Sequence, residues 1–186
     1  MAIEPRLIVT GVGVDHAEAI LSDGMATPVT IGALPGQDLY LLWGTEDGGA
    51  SVGTTGRESV TLPFFPGAGG TRLLFVRFPP ESSLQAPDGD PDEMAAEAAR
   101  ELPGLMEAFD PGDAGMHRTD TIDYGICLEG ELWLELDGGN EVRLTPGTCV
   151  VQQGTRHAWR NHGDVQALMC FVGIGAKREP DTSGGA

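Results

Sequence analysis

Between residues 115 and 175 the chain is cut into short pieces by turn-forming residues, and that cadence leaves few folds open to it. Glu131-Leu-Trp-Leu-Glu-Leu136 alternates strictly. It places Leu132, Leu134 and Leu136 on one face and Glu131, Trp133 and Glu135 on the other, the pattern of a half-buried strand. Asp137-Gly138-Gly139-Asn140 is a hairpin turn, Glu141 to Leu144 returns, and Pro146-Gly147 turns again. Thr148 to Gln152 and the apolar run Val165 to Gly173 supply further strands, with Gly154-Thr-Arg as the turn after the first. Short strands at this spacing specify an all-β sandwich or barrel.

The segments ahead of this array differ from one another. Residues 1–80 read as strands and loops: Arg6 to Thr10 and Asp38 to Trp43 are rich in strand formers, and Thr71 to Phe78 alternates until Pro79-Pro80 stops it. Gly24 to Gly36 is broken by two prolines, and Gly44 to Gly56 carries five glycines without periodicity, so both read as loops. Residues 81–113 predict one short helix. Asp90 suits its N-cap, Pro91 its first position, Asp92 and Glu93 its positive end, and the alanine-rich stretch to Leu102 its body. Pro103 ends it, and Leu105 to Phe109 forms a further turn. The inserted helix either covers one mouth of a site or simply connects. Residues 114–176 hold the core of the array, and 177–186 are small and polar, as in a frayed tail. There is no internal repeat, so the expectation is one structural domain.

The net charge of −17 repels phosphate backbones and anionic lipid, which argues against nucleic-acid and membrane partners. Cys127, Cys149 and Cys170 are odd in number and far apart in apolar runs. They read as free thiols in a reducing compartment, and no Cys-x-x-Cys pair suggests a thiolate site. No basic start followed by an apolar core marks a signal peptide, and no apolar run approaches a membrane span, so the expected location is the cytoplasm.

Two spaced motifs carry the chemistry. The first is His117-Arg-Thr119, then Asp123, six residues and Gly130, with Gly112 upstream. The second is Pro146-Gly147, then Gln152-x-Gly154-x-x-His157-x-x-x-Asn161. Together they resemble the paired motifs of the cupin superfamily, with Thr119 where the first motif has its second histidine, Asp123 where it has glutamate, and Gln152 where the second motif has proline. The resemblance covers about the last 70 residues of the chain. It implies a single cupin (double-stranded β-helix, jelly-roll) barrel with an N-terminal β arm and one short inserted helix. It also implies a homodimer paired through that arm, for which Leu7 to Thr10 is the candidate strand.

The resemblance puts His117, Asp123 and His157 at one point inside the barrel, as catalytic residues and as the candidate ligands of a divalent metal (Fe, Mn, Ni or Zn). Two imidazoles and a carboxylate leave open positions for water or substrate. The alternative is a pocket without metal in which the same three groups act as acid, base and hydrogen-bond partners. Thr119, Trp133, Trp159 and Arg160 are candidate substrate contacts; the two tryptophans can equally pack between sheets, and Arg156 and Arg160 can equally form surface ion pairs. Tyr124, pointing opposite to Asp123, is expected in the core, Asn161 to satisfy turn backbone, and His16 and His162 to face solvent. The expected function is a small-molecule enzyme, a lyase or isomerase of dehydratase or decarboxylase kind. The alternatives are an iron-dependent dioxygenase and a non-catalytic ligand-binding or sensor domain. No DNA-binding helix-turn-helix accompanies the barrel.

Overall fold

A computed structural model describes residues 2–13, 17–52, 59–113 and 115–180, and ten strands and one α-helix lie within them. His16 and the last six residues of the expected tail fall outside these segments. The strands form three antiparallel sheets. β1 (Arg6–Val12) and β2 (Glu18–Met25) make a hairpin by themselves. β3 (Asp38–Thr45), β4 (Thr71–Phe78), β5 (Thr121–Glu129), β8 (Cys149–Gln153) and β10 (Ala167–Gly175) form a five-stranded sheet in the order β3-β4-β10-β5-β8. β6 (Leu132–Leu136), β7 (Asn140–Leu144) and β9 (His157–Arg160) form a three-stranded sheet in the order β7-β6-β9. This is an all-β architecture with its core between the two larger sheets.

The inner faces follow the pleat. Leu132 and Leu134 on β6 are buried while Trp133 between them is half-buried on the other face. On β4, Arg72, Leu74, Val76 and Phe78 share the inward parity. They meet Leu39, Cys127, Leu144 and Met169 in one core cluster, apart from the charged Arg72. The expected Asp137–Asn140 turn closes the β6–β7 hairpin with Gly138 and Gly139 both at positive φ, 78° and 72°. Gly130, the glycine closing the first motif, is required twice over. Its φ is 65°, and a Cβ there would stand 2.4 Å from the Gln166 carbonyl oxygen on the neighbouring strand entry.

The helix α1 (Pro91–Glu101) starts where the sequence indicates, with the Asp90 side chain accepting from the backbone N–H groups of Asp92 and Glu93. It is more than a surface connector. Ala98 and the following Leu102 are buried, 1% and 0% exposed, in the same cluster as the barrel strands. Phe64 N–H bonds to the Pro103 carbonyl, which ties the segment after the helix to the loop ahead of β4.

Two expectations are corrected. Tyr124 is 45% exposed, not in the core. Its parity opposes Asp123, and on β5 and β8 that outer face, with Ile122 and Val151, is left uncovered. β2 was not anticipated, because Ser22, Asp23 and Gly24 are weak strand formers. Pairing with β1 from Arg6↔Met25 to Val12↔Glu18 provides what its own propensity does not.

Candidate functional site

His117 and His157 come from segments 40 residues apart and are locked together by backbone. Each donates its N–H to the other's carbonyl, at 2.9 and 3.0 Å, so their rings lie 4.2 Å apart between centroids. The Nδ1 of His117 bonds to the Gly115 carbonyl at 3.0 Å, and that of His157 to the Thr155 carbonyl at 2.9 Å. A carbonyl oxygen only accepts, so in each neutral ring the hydrogen sits on Nδ1 and Nε2 keeps its lone pair. Burial pushes both pKa values down. The His157 pKa falls to about 4, with the neighbouring His117 adding to the effect, and the backbone carbonyls oppose it in both rings. Both imidazoles are therefore neutral bases near pH 7.

Both rings line a cavity of about 740 Å³, its open mouth included, between the two larger sheets. Its walls are apolar: leucines from β3, β4 and the post-helix segment, together with an arc of aromatic rings. Phe109 lies 5.0 Å from His117, Trp159 5.4 Å from His157, and Phe171 5.2 Å from Trp159. Apolar walls with a few convergent polar groups suit a small organic molecule.

Asp123 faces the same cavity. Thr121 donates its hydroxyl hydrogen to Asp123 Oδ2 at 2.7 Å. Having one hydrogen only, Thr121 must accept from Thr119, 2.7 Å away. The chain of hydroxyls therefore runs Thr119 to Thr121 to Asp123, leaving the Thr119 oxygen as an acceptor toward the cavity. Burial pushes the Asp123 pKa up, and the Thr121 hydrogen bond only partly offsets it. A carboxyl whose pKa burial raises and imidazoles whose pKa burial lowers line one cavity, shifts of the kind that separate acid and base roles.

The three-ligand set expected of His117, Asp123 and His157 is not assembled. Among the described residues no group of three or more His, Cys, Asp and Glu side chains could hold an ion. Asp123 sits in the β5 ladder opposite Gln152 and Gly173 and is engaged by Thr121, whereas the histidines bridge elsewhere. The side chains present offer two imidazole nitrogens, which falls short of a facial triad.

Of the expected substrate contacts, Thr119 and Trp159 line the cavity. Trp133 and Arg160 do not. Trp133 is on the outer side of β6 with His162 at 5.2 Å and Arg143 over its ring. Arg160 pairs with Glu135 at 2.6 Å. Both sit one residue out of phase with the inward set, which turns them away from the cavity. Arg156 binds Asp110, Asp113 and Asp137 at once, holding the segment that carries Phe109 against the turn after β6. Asn161 satisfies backbone, its Nδ2 donating to the Phe78 and Val165 carbonyls at 3.0 and 2.9 Å. His162 is half-exposed between Glu81 and Glu141, each at 2.9 Å.

Two cavity residues went unread in the sequence. Gln152, noted only as standing in a proline's place, is 5% exposed. Its Oε1 accepts from Thr155 at 2.6 Å, and its Nε2 has no partner. Arg72 is 3% exposed. The signal for it was available: it shares parity with Leu74, Val76 and Phe78, and a charge in an inward register is exceptional.

Residues 105–173 match the cupin domain family, and this segment of the chain is a cupin domain. The chain is 46% identical over 82 residues to phomopsin biosynthesis cluster protein C' of Diaporthe leptostromiformis, covering 41% of this chain and 43% of that protein. It is 42% identical over 71 residues to oryzines biosynthesis cluster protein J of Aspergillus oryzae, covering 37% and 40%. It is 38% identical over 68 residues to the cupin-domain-containing oxidoreductase fogC of Aspergillus ruber, covering 34% of each. The chain thus spans less than half the length of these relatives. Solved structures that it resembles include a cupin 2 conserved barrel domain protein from Salinispora arenicola, with a TM-score of 0.36, 17% identity and coverage of 66% and 71%. Another is an RmlC-like cupin family protein from Methanocaldococcus jannaschii, with a TM-score of 0.37, 12% identity and coverage of 56% and 70%.

Proposed function

We propose that the protein is a cupin-type enzyme that moves a proton on an apolar small molecule, a lyase or isomerase of the dehydratase or decarboxylase kind. The observation that carries this is the pair of imidazoles with Nδ1 tied to backbone carbonyls and Nε2 without a protein partner among the described residues, in a mostly apolar cavity that Asp123 also lines. One Nε2 takes the proton from a carbon beside a carbonyl. Asp123, fed through Thr121 and Thr119, stabilises or protonates the oxygen or the leaving group. The apolar walls exclude water, which strengthens each of these contacts.

The test is deuterium exchange, followed by NMR, at the carbon beside the carbonyl of aromatic ketones and keto acids. The wild-type protein is expected to accelerate exchange, and His157→Gln to lower the rate by about 10²- to 10⁴-fold with the fold intact. Exchange no faster than with free imidazole, or equally fast in His117→Ala and His157→Ala, would sink the proposal. A second reading, an oxidoreductase, is favoured by the name of the fogC relative. It needs a redox metal, and metal analysis of the purified protein with the same two variants as controls decides it.

The protein is further proposed to act in the cytoplasm as a homodimer. Supporting the dimer, Ile8, Ile20, Leu21 and Met25 on the β1–β2 hairpin and Ile122, Tyr124 and Val151 on the outer sheet face are exposed apolar side chains. Among the described residues, no helix is long and apolar enough to cross a membrane.

A further inference from the structure

Four strands of the large sheet place one residue each in a single row. Arg72 on β4 is paired with Gly173 on β10, Gly173 with Asp123 on β5, and Asp123 with Gln152 on β8. All four line the cavity. Neighbouring strands stand about 4.8 Å apart, so the backbones of Arg72 and Asp123 are separated by roughly 10 Å. The only residue between them is a glycine, which contributes no side chain. A Cβ on Gly173 would lie 3.1 Å from Asp123 Oδ1, closer than side chains ordinarily pack, and 3.8 Å from Pro66 Cδ, so the glycine makes room for the Asp123 carboxyl between the two ends of the row.

The two ends of this row are incompletely satisfied. Arg72 donates Nε–H to the Pro63 carbonyl at 2.9 Å, and Nη1 to the carbonyls of Thr45 and Thr71 at 3.0 and 2.8 Å. Among the described residues its Nη2 has no protein acceptor, and no carboxylate comes within ion-pair range of it. Asp47 acts on Arg72 only from further off. Buried charges are ordinarily paired. At the other end, Gln152 has its amide oxygen occupied by Thr155 and its Nε2 donor orphaned. Buried donors without acceptors are rare enough in folded proteins to call for a partner. Both open ends are donors, so the missing partner is an oxygen acceptor, and at Arg72 it is an anion.

We infer that this row is a carboxylate subsite: the protein takes an aromatic or similarly flat apolar acid, with its carboxylate against Arg72 Nη2 and a second oxygen accepting from Gln152 Nε2. The ring system lies along Phe109, Trp159 and Phe171. The inference rests on the cavity being the functional site and narrows its ligand from any apolar molecule to an acid. It also selects against sugars, whose many hydroxyls would find apolar walls.

The test uses matched pairs of ligands, 2-naphthoate with 2-naphthamide and phenylpyruvate with its primary amide. Binding is read by calorimetry and by quenching of Trp159 fluorescence, with Trp159→Phe marking the signal that comes from the cavity. Each acid is expected to bind about ten-fold or more tightly than its amide, the gain of a charge-assisted over a neutral contact. That preference is expected to disappear in Arg72→Met. Arg72 also ties three backbone carbonyls, so Gln152→Met, which removes the orphaned donor and leaves the arginine in place, is the second variant; it is expected to cut acid binding by a similar factor while the thermal midpoint does not fall. If amides bind in the cavity as well as acids do, or the preference survives in both variants, the acid subsite is wrong and the cavity reading stands. If neither member of any pair binds, both are wrong.

Discussion

At the scale of single residues, the polar groups of the cavity make opposite predictions for stability and for function. Gln152 Nε2 is buried without an acceptor, a loss of about 1–3 kcal/mol relative to solvent. Replacing it with methionine is expected to raise the unfolding free energy by about 1 kcal/mol in urea titrations. A fall instead would show that the amide is satisfied in the folded chain. The histidines predict a pH dependence. The folded His157 pKa lies at about 4 against an ordinary 6.5, so the folded state binds fewer protons than the unfolded chain as the pH drops through that window. Its contribution to stability is full above about 6.5 and is lost toward 4, on the order of 3 kcal/mol. His157→Phe should flatten that limb of a stability–pH profile, and an unchanged slope would refute the assignment. Motif spacing, read through the resemblance to cupins, made His117, Asp123 and His157 legible. What it could not convey is which atoms meet: two-residue periodicity aims Thr119 and Asp123 at the cavity, but the reciprocal backbone bridge at His117 and His157 sets the two rings against each other.

At the scale of elements, the turns were readable and the uses of the helix were not. Gly130 and the Asp137–Asn140 turn stand out because positive φ selects glycine, and both occur where the sequence puts them. Gly130→Ala combines an unfavourable φ with a Cβ clash and is expected to cost about 2–4 kcal/mol, measured by chemical denaturation. A cost below 0.5 kcal/mol would mean that the strand entry at Gln166 yields readily. α1 shows its cap and its alanine-rich body in the sequence, but alanine is compatible with both surface and core. Burial of Ala98 and Leu102 is set by what the barrel leaves uncovered, a tertiary fact without a local signal. The same holds for β2, which forms because β1 offers it a ladder. The Arg156 cluster pins the segment between α1 and β5 from the outside. Arg156→Ala is expected to speed limited proteolysis within residues 103–116, because three carboxylates then repel one another at the edge of the site.

At the scale of the whole molecule, the acidic surface and the arginine inside the cavity oppose one another. A net charge of −17 slows the approach of any anion, and only Arg72 in the cavity rewards its arrival. The association rate of an aromatic acid should therefore increase as salt is raised to physiological levels, where the screening length is about 8 Å. A rate that falls with salt would place the attracting charge at the mouth instead. Light scattering of the purified chain tests the proposed dimer at micromolar concentration, where a monomer would refute it. The row across the large sheet carries one more implication. Its arginine comes from β4, outside residues 105–173, while the histidines, Asp123, Gln152 and Gly173 lie inside that segment. The chemistry and the address label thus travel on separate stretches of one chain. Transplanting a foreign stretch in place of residues 38–78 could redirect such a barrel to a different molecule while its proton-handling centre is inherited unaltered.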